Sequence, residues 1–452
     1  MYTSGAEISI LLYEVSNNET NLFDYIYFVE KNRSRILYRD LSLSRKDKPY
    51  RNEYMTKEKA IRQKLEYFSH KEASDSLLHY ISKMEALYRD FYQAHDNLSL
   101  LADKSRSDIK SMLNSKLEAN QIFLDFNVLN NEVFLFFADL NKTGIKRIPL
   151  NSELKGHLNT INSIESNTEL LAGDYSQSAF YLYQNILSEI IPPSAKILYS
   201  VSGDFATINP EIWVKSHSEK QTEYSKLQYL IHDFHFERIE SIYLYEKSKA
   251  KSYEKVTAFL HSDKSTLSRS NHLLKEQAGN LIEQKAIMEL FPEHAIYQGR
   301  NCNKEKFLKL SDQKSDILHI SVHGHGSAAE RQNLYLLFRA EEKQDTLFAY
   351  ELLHKTNGPP LVVLAACESG KGKYEEGEGD YTLARYFLQS GTQKVIRSLW
   401  NLDDTAGSLM MRSFYQNLSS SNEPAISLQQ AKIELLEKYP NFAHPYFWGG
   451  VI

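Results

Sequence analysis

Along the first quarter of the chain, apolar positions recur at helical spacing. Leu77, Ile81, Met84, Tyr88 and Phe91 stand four, three, four and three residues apart, which places them on one helical face. Charged residues crowd the other faces, and Thr56 is the expected N-cap ahead of a helix over Lys57–Phe68. Residues 1–120 are therefore expected to be helical, either a bundle or the end of a repeat array, and no second copy within the chain says which. The pattern then changes period. Ile122–Val128 and Val133–Asp139 flank the turn signal Asn130-Asn131 and predict a β-hairpin. A helix over Ser176–Ile190, the pair Pro192-Pro193 and a strand over Lys196–Ser202 follow. Residues 205–250 read as irregular and aromatic-rich, with one strand at Tyr229–Phe236.

From about residue 251 strand and helix patterns alternate. Strands are expected at Val256–Leu260, Ala295–Gln298, Ile317–Val322, Leu361–Ala366 and Lys394–Trp400. Helices are expected at His272–Leu290, Lys304–Leu310, Asp380–Ser390 (ended by Gly391), Ala406–Leu418 and Ser427–Lys438. Short, wholly apolar runs such as Leu361–Ala366 suit a sheet buried on both faces, and the alternation predicts an α/β fold with a mainly parallel sheet. The organisation expected is a helical region over 1–120, a subdomain with the hairpin over 121–250, and the α/β domain over 251–452.

Composition narrows the class. A chain of 452 residues exceeds one small core and suits two or three domains. With 29 Tyr and 22 Phe, long disorder is not expected. A net charge of −5 leaves no general basic face, so nucleic acid is not an expected partner. Cys302 and Cys367 are the only cysteines, which excludes a disulfide framework and fits a reducing, cytoplasmic compartment. No apolar run of about 18 residues and no signal-peptide pattern occurs, so this segment is not expected to enter a membrane. Met1 leads straight into helical pattern and Tyr446–Ile452 has no tail after it, so the chain reads as a piece of a longer protein.

Two of the predicted strands end in reactive residues. Ile317–Val322 runs into His323-Gly324-His325-Gly326, and Leu361–Ala366 runs into Cys367-Glu368-Ser369-Gly370. In an open parallel sheet, reactive groups collect beyond the C-terminal strand ends, and consecutive strands are usually neighbours. An imidazole and a thiol at one sheet edge can form an activated nucleophile, because a nearby His lowers the thiol pKa. Gly324 lets the backbone approach closely, so its N–H and that of Cys367 could face a developing oxyanion. The plainer alternative is that Cys367, like Cys302, is a small core residue. His323, His325 and Cys367 lack the paired spacing of a structural zinc site. Ala365–Lys373 departs from a phosphate loop at its first and last signature positions, and no Gly-x-Ser-x-Gly elbow is present.

Four ordered motifs carry a family resemblance. Asp316–Gly324 resembles the histidine motif of CHAT-domain proteases, a branch of the caspase and separase group, and Leu361–Gly370 resembles their cysteine motif. Leu383–Gly391 with Val395–Asp404 is similar to their next helix and strand, and His444–Trp448 to their closing motif. Upstream, Glu30–Leu37 resembles the helix that links tetratricopeptide repeats to the protease, and Ala179–Leu187 with Lys196–Ser202 the start of the domain. Where the family often has Asp-Gly before Ile-Pro, this chain has Ser202-Gly203 and Asn209-Pro210.

The resemblance implies an α/β caspase-like fold preceded by helices, and a cysteine endopeptidase with Cys367 as nucleophile and His323 as acid and base. The glycine-flanked His323 is preferred to His319 and His325 because the family's histidine follows the strand four residues after another His. It implies no metal or organic cofactor, a protein substrate, and a regulatory protein partner acting through upstream helical repeats, with antiphage defence as a setting. In separases an acid near Asp403 and Asp404 receives the basic residue before the cleaved bond; a helix N-cap explains either Asp equally well. The acidic stretch Glu375–Asp380 reads as a solvated loop that could add negative potential at the site. A catalytically silent caspase-like scaffold for protein binding is the rival reading.

Overall fold

The computed structural model describes residues 2–32, single helical positions between 53 and 87, and 109–452 apart from 219, 244, 246–251, 262–270, 311–314, 326–333, 339–344, 355–357, 366–372 and 376–378. Helices α1 (Tyr2–Ser16) and α2 (Thr20–Asn32) pack together, and α3 (Ile109–Lys116) buries Ile109, Met112 and Leu113. Glu53, Thr56 and Lys57 are all helical, and Lys57 Nζ meets Glu53 Oε1 at 2.7 Å. Thr56 is therefore itself a helical position and not the residue ahead of the helix. The face drawn by Leu77, Ile81, Met84, Tyr88 and Phe91 lies outside the described residues.

The expected hairpin forms from β1 (Gln121–Leu129) and β2 (Glu132–Ala138). Asn130 and Asn131 take φ of 50° and 61°, the left-handed pair that a two-residue turn needs to match strand twist. With β3 (Thr143–Pro149), β4 (Lys196–Val201) and β5 (His235–Arg238) they make a five-stranded sheet of order β3-β2-β1-β4-β5, in which β1, β4 and β5 run parallel. Helices α4 (Ser152–Asn162) and α5 (Ala172–Leu182) cover it, α5 continuing through a π-turn at Tyr183–Leu187. The strand expected at Tyr229–Phe236 begins only at His235, because Leu230–His232 closes a 3-10 turn first.

The second sheet comprises β6 (Lys255–Leu260), β7 (Glu293–Tyr297), β8 (Ile317–Ser321), and two strands further along the chain. After β8, a small antiparallel sheet is built from β9 (His323–His325), β10 (Tyr335–Leu337) and β11 (Thr346–Phe348). Then come β12 (Leu361–Leu364), the hairpin β13 (Lys373–Glu375) with β14 (Gly379–Tyr381), and β15 (Lys394–Ile396). The order β15-β12-β8-β6-β7 is parallel throughout. Helices α6 (Asn271–Leu290), α7 (Lys304–Leu310), α8 (Leu383–Gln389), α9 (Asp404–Ser421) and α10 (Pro424–Lys438) complete it.

Alternate residues of these strands feed two cores, as the wholly apolar runs required. Val256, Ile317, Leu361 and Val363 join the large core that also takes in Ile122, Leu124 and Trp448. Phe259, Leu318, Ile320, Val362 and Leu364 join a second core with Cys302 and Phe307. Cys302 is accordingly a buried core residue, 1% exposed.

Two further boundaries differ from expectation. The helix expected from Asp380 starts at Leu383, because Asp380 pairs with Tyr374 and Gly379 with Glu375 across the hairpin. Both ends of the acidic stretch are thus strand, not free loop. The run Lys394–Trp400 stops pairing with β12 after Ile396. Arg397 and Ile452 then exchange backbone hydrogen bonds, each 2.9 Å, so the chain's last residues extend that edge.

Candidate active site

β8 and β12 are adjacent and parallel, with Leu361 opposite Ile317 and Leu364 opposite Ile320. The Ala365 N–H donates to Ile320 O at 3.0 Å, so both strands end at the same edge. β8 ends at Ser321, one residue earlier than expected; Val322 bends, and His323 opens β9 opposite Leu337. Gly324 faces Leu336 in the same ladder. A cavity of about 80 Å³ lies at this edge, lined among others by Ser321, His323, Leu364, Ala365 and Asp404. Cys367 follows Ala365 by two residues and lies outside the described residues, as does the side chain of His325.

The other histidine of the motif has a different setting. His319 is fully buried, with Nε2 3.0 Å from Glu283 Oε2 and Nδ1 2.7 Å from the Tyr415 hydroxyl. Burial, reinforced by the Glu283 carboxylate, holds the Tyr415 hydroxyl well above the usual phenol range. Glu283 and Asn280 sit three residues apart on α6 and both line the cavity. Sequence reasoning missed them, since two polar residues on a helix carry no signal until the helix is placed.

Asp403 is the N-cap of α9: its carboxylate accepts from Thr405 N and Ala406 N, both at 3.0 Å. Asp404 opens the helix, and both aspartates line the cavity. So does Arg397, which is 3% exposed and places Nη2 3.4 Å from Glu240 Oε1. Among the described residues no three His, Cys, Asp or Glu side chains gather as a metal site, and no helix is long and apolar enough to cross a membrane.

A mainly parallel sheet with helices on its flanks and a histidine strand leaving its C-terminal edge has the caspase-like architecture. Residues 181–452 match the CHAT domain, and the chain belongs to that family. Tetratricopeptide repeat protein 28 of mouse is 30% identical over 104 residues, which are 23% of this chain and 4% of that protein. Its human counterpart is 30% identical over 90 residues, again 4% of its length, so the chain matches only a small part of these relatives. Among solved structures, the Saccharomyces cerevisiae separase–securin complex superposes with a TM-score of 0.50 at 11% identity, over 84% of this chain and 34% of that one. The Arg-specific cysteine proteinase gingipain R gives 0.37 at 10% identity, over 63% and 67%. The likeness to separase is one of fold.

Proposed function

We propose that the chain is a cysteine endopeptidase acting on a protein partner, with Cys367 as nucleophile and His323 as its base. The observation that carries this is the shared edge: His323 and Ala365 line one cavity, and two peptide units, a reach of at most about 7 Å, separate Ala365 from Cys367. His319 is a poor candidate for the base, because both its nitrogens are taken up by buried partners. In the proposed reaction the Cys367 thiol gives its proton to His323, and the thiolate sulfur bonds to the peptide carbonyl carbon. Collapse breaks the C–N bond, His323 returns the proton to the leaving amine, and water hydrolyses the thioester. The N–H groups of Gly324 and Cys367 are proposed to stabilise the oxyanion.

Asp404 at the cavity wall supports a pocket for a basic side chain; Asp403, occupied as a cap, is the weaker of the two. Family membership and the tetratricopeptide-repeat relatives support activation through a regulatory protein partner, and the family resemblance supports a setting in antiphage defence with an effector protein as target. The test is cleavage of the natural partner by the activated protein. Cys367→Ala and His323→Ala should each abolish it with the fold intact. Wild-type cleavage by Cys367→Ala would sink the mechanism.

A further inference from the structure

One aromatic contact at this edge has no part in the chemistry above. The ring of His261, the residue after β6, lies 4.6 Å from that of His323, centroid to centroid, inclined at 57°. His261 is held on three sides. Its N–H donates to Ser321 O at 2.7 Å, and its carbonyl accepts from Asn280 Nδ2. Its Nδ1 donates to Phe338 O at 3.4 Å, one residue past β10, the strand that pairs with β9. Phe338 is itself 1% exposed and packs on Phe259 and Phe307 at 5.7 and 5.1 Å. Asn280 also accepts from Ser321 Oγ at 2.8 Å, so one amide joins the ends of β6 and β8. The ring of His261 stands against one side of the half-buried His323 imidazole and so limits the rotamers that imidazole can take.

We propose that His261 is a positioning residue for His323, its immobilised ring serving as the wall that sets the orientation of the catalytic imidazole. The backbone bonds of His261 fix where the ring stands, and the long contact from Nδ1 to Phe338 O only adds to its orientation. The proposal rests on the Cys367–His323 reading, and it predicts that ring shape at position 261 matters more than hydrogen bonding.

The probe is iodoacetamide at about pH 6, where an unassisted thiol of pKa ~8.5 is scarcely ionised. The full chain is alkylated, and labelling at Cys367 and at buried Cys302 is read by mass spectrometry of its proteolytic fragments; rising Cys302 labelling reports loss of fold. His261→Phe, which keeps the ring, should hold the Cys367 rate within about twofold to threefold of wild type. His261→Asn, which keeps a donor and loses the ring, should lower it about tenfold, because small errors of placement are costly between reacting groups. An Asn variant at the wild-type rate, or a Phe variant as slow as Asn, overturns the positioning role. His323→Ala separates the two readings: if it leaves Cys367 as reactive as wild type, the dyad itself fails. If the variants do not fold, a nuclear Overhauser contact between the two rings is expected in wild-type protein labelled at histidine, and its absence overturns the proposal.

Discussion

Nε2 of His319 lies 3.0 Å from Oε2 of Glu283, and both side chains are almost wholly withdrawn from solvent. One tautomer satisfies the group without a charge on the ring: Nε2–H donates to the carboxylate, and Nδ1 accepts from the Tyr415 hydroxyl at 2.7 Å. The arrangement ties β8 to α6 and α9 directly behind the cavity. The two histidines of one motif are thereby divided, His319 inside the scaffold and His323 at the cavity wall.

Breaking that buried pair should be expensive. His319→Leu leaves a buried carboxylate without its donor, a loss on the order of 3–5 kcal/mol. Adding Glu283→Leu should recover much of it, because the stranded charge goes too. Unfolding midpoints of the two singles and the double decide. A double variant no more stable than His319→Leu would show that the pair is not the source of the cost.

The two aspartates should separate by phenotype. Asp403→Ala removes the cap of α9 and should cost about 1 kcal/mol of stability, with little selective effect on substrates. Asp404→Asn is the change aimed at the cavity wall. It should lower cleavage after Arg or Lys by roughly 10²-fold, on the scale of removing one partner from a buried charge pair. Peptide-library profiling of the activated protein checks this. A preference for apolar or acidic residues in the wild type, or an unchanged profile in Asp404→Asn, rejects the basic pocket.

Gly279 admits the approach of α9 to α6. A Cβ there would lie 2.4 Å from Ser408 Oγ and 3.3 Å from the Asp404 backbone oxygen. Gly279→Ala should therefore destabilise by about 1–3 kcal/mol through overpacking, against a gain of up to about 1 kcal/mol in helix propensity. Ser408→Ala in the same chain removes the nearest clashing atom and should restore most of the loss. Thermal unfolding of the single and double variants gives the answer, and a stabilised single variant would contradict the contact.

Acid should weaken the C-terminal closure through His444. Burial pushes its imidazole down to about 4 from 6.5, while Nδ1 accepts from Tyr446 N at 3.1 Å. Between these values the unfolded chain takes up a proton that the native protein refuses. The contribution is thus complete above pH 6.5 and falls away as pH drops towards 4. Its size is on the order of 1–3 kcal/mol once partial solvent screening is allowed for. His444→Asn keeps an acceptor for Tyr446 N, so its unfolding midpoint should decline less between pH 7 and pH 4.5. Parallel decline in variant and wild type would remove His444 as the cause.

Much of this was legible in the residues. Alternation of wholly apolar runs with helical patterns required a parallel sheet covered on both sides, and the cores on either face of β8 and β12 meet that requirement. The Asn130-Asn131 turn could be read because only a few residue types accept a positive φ. The reactive residues at the ends of two apolar runs were likewise visible, because period and polarity are local properties. What the chain order did not contain was which distant groups meet. Glu283, Asn280 and His261 acquire meaning only when α6 and β6 are laid beside β8, and of the two aspartates open to a cap reading, only the placed α9 shows that Asp403 is the cap. Local pattern determined the elements and the motif. Packing decided which histidine is buried and which faces the cavity, since burial and hydrogen-bond partners are set by neighbours remote in sequence.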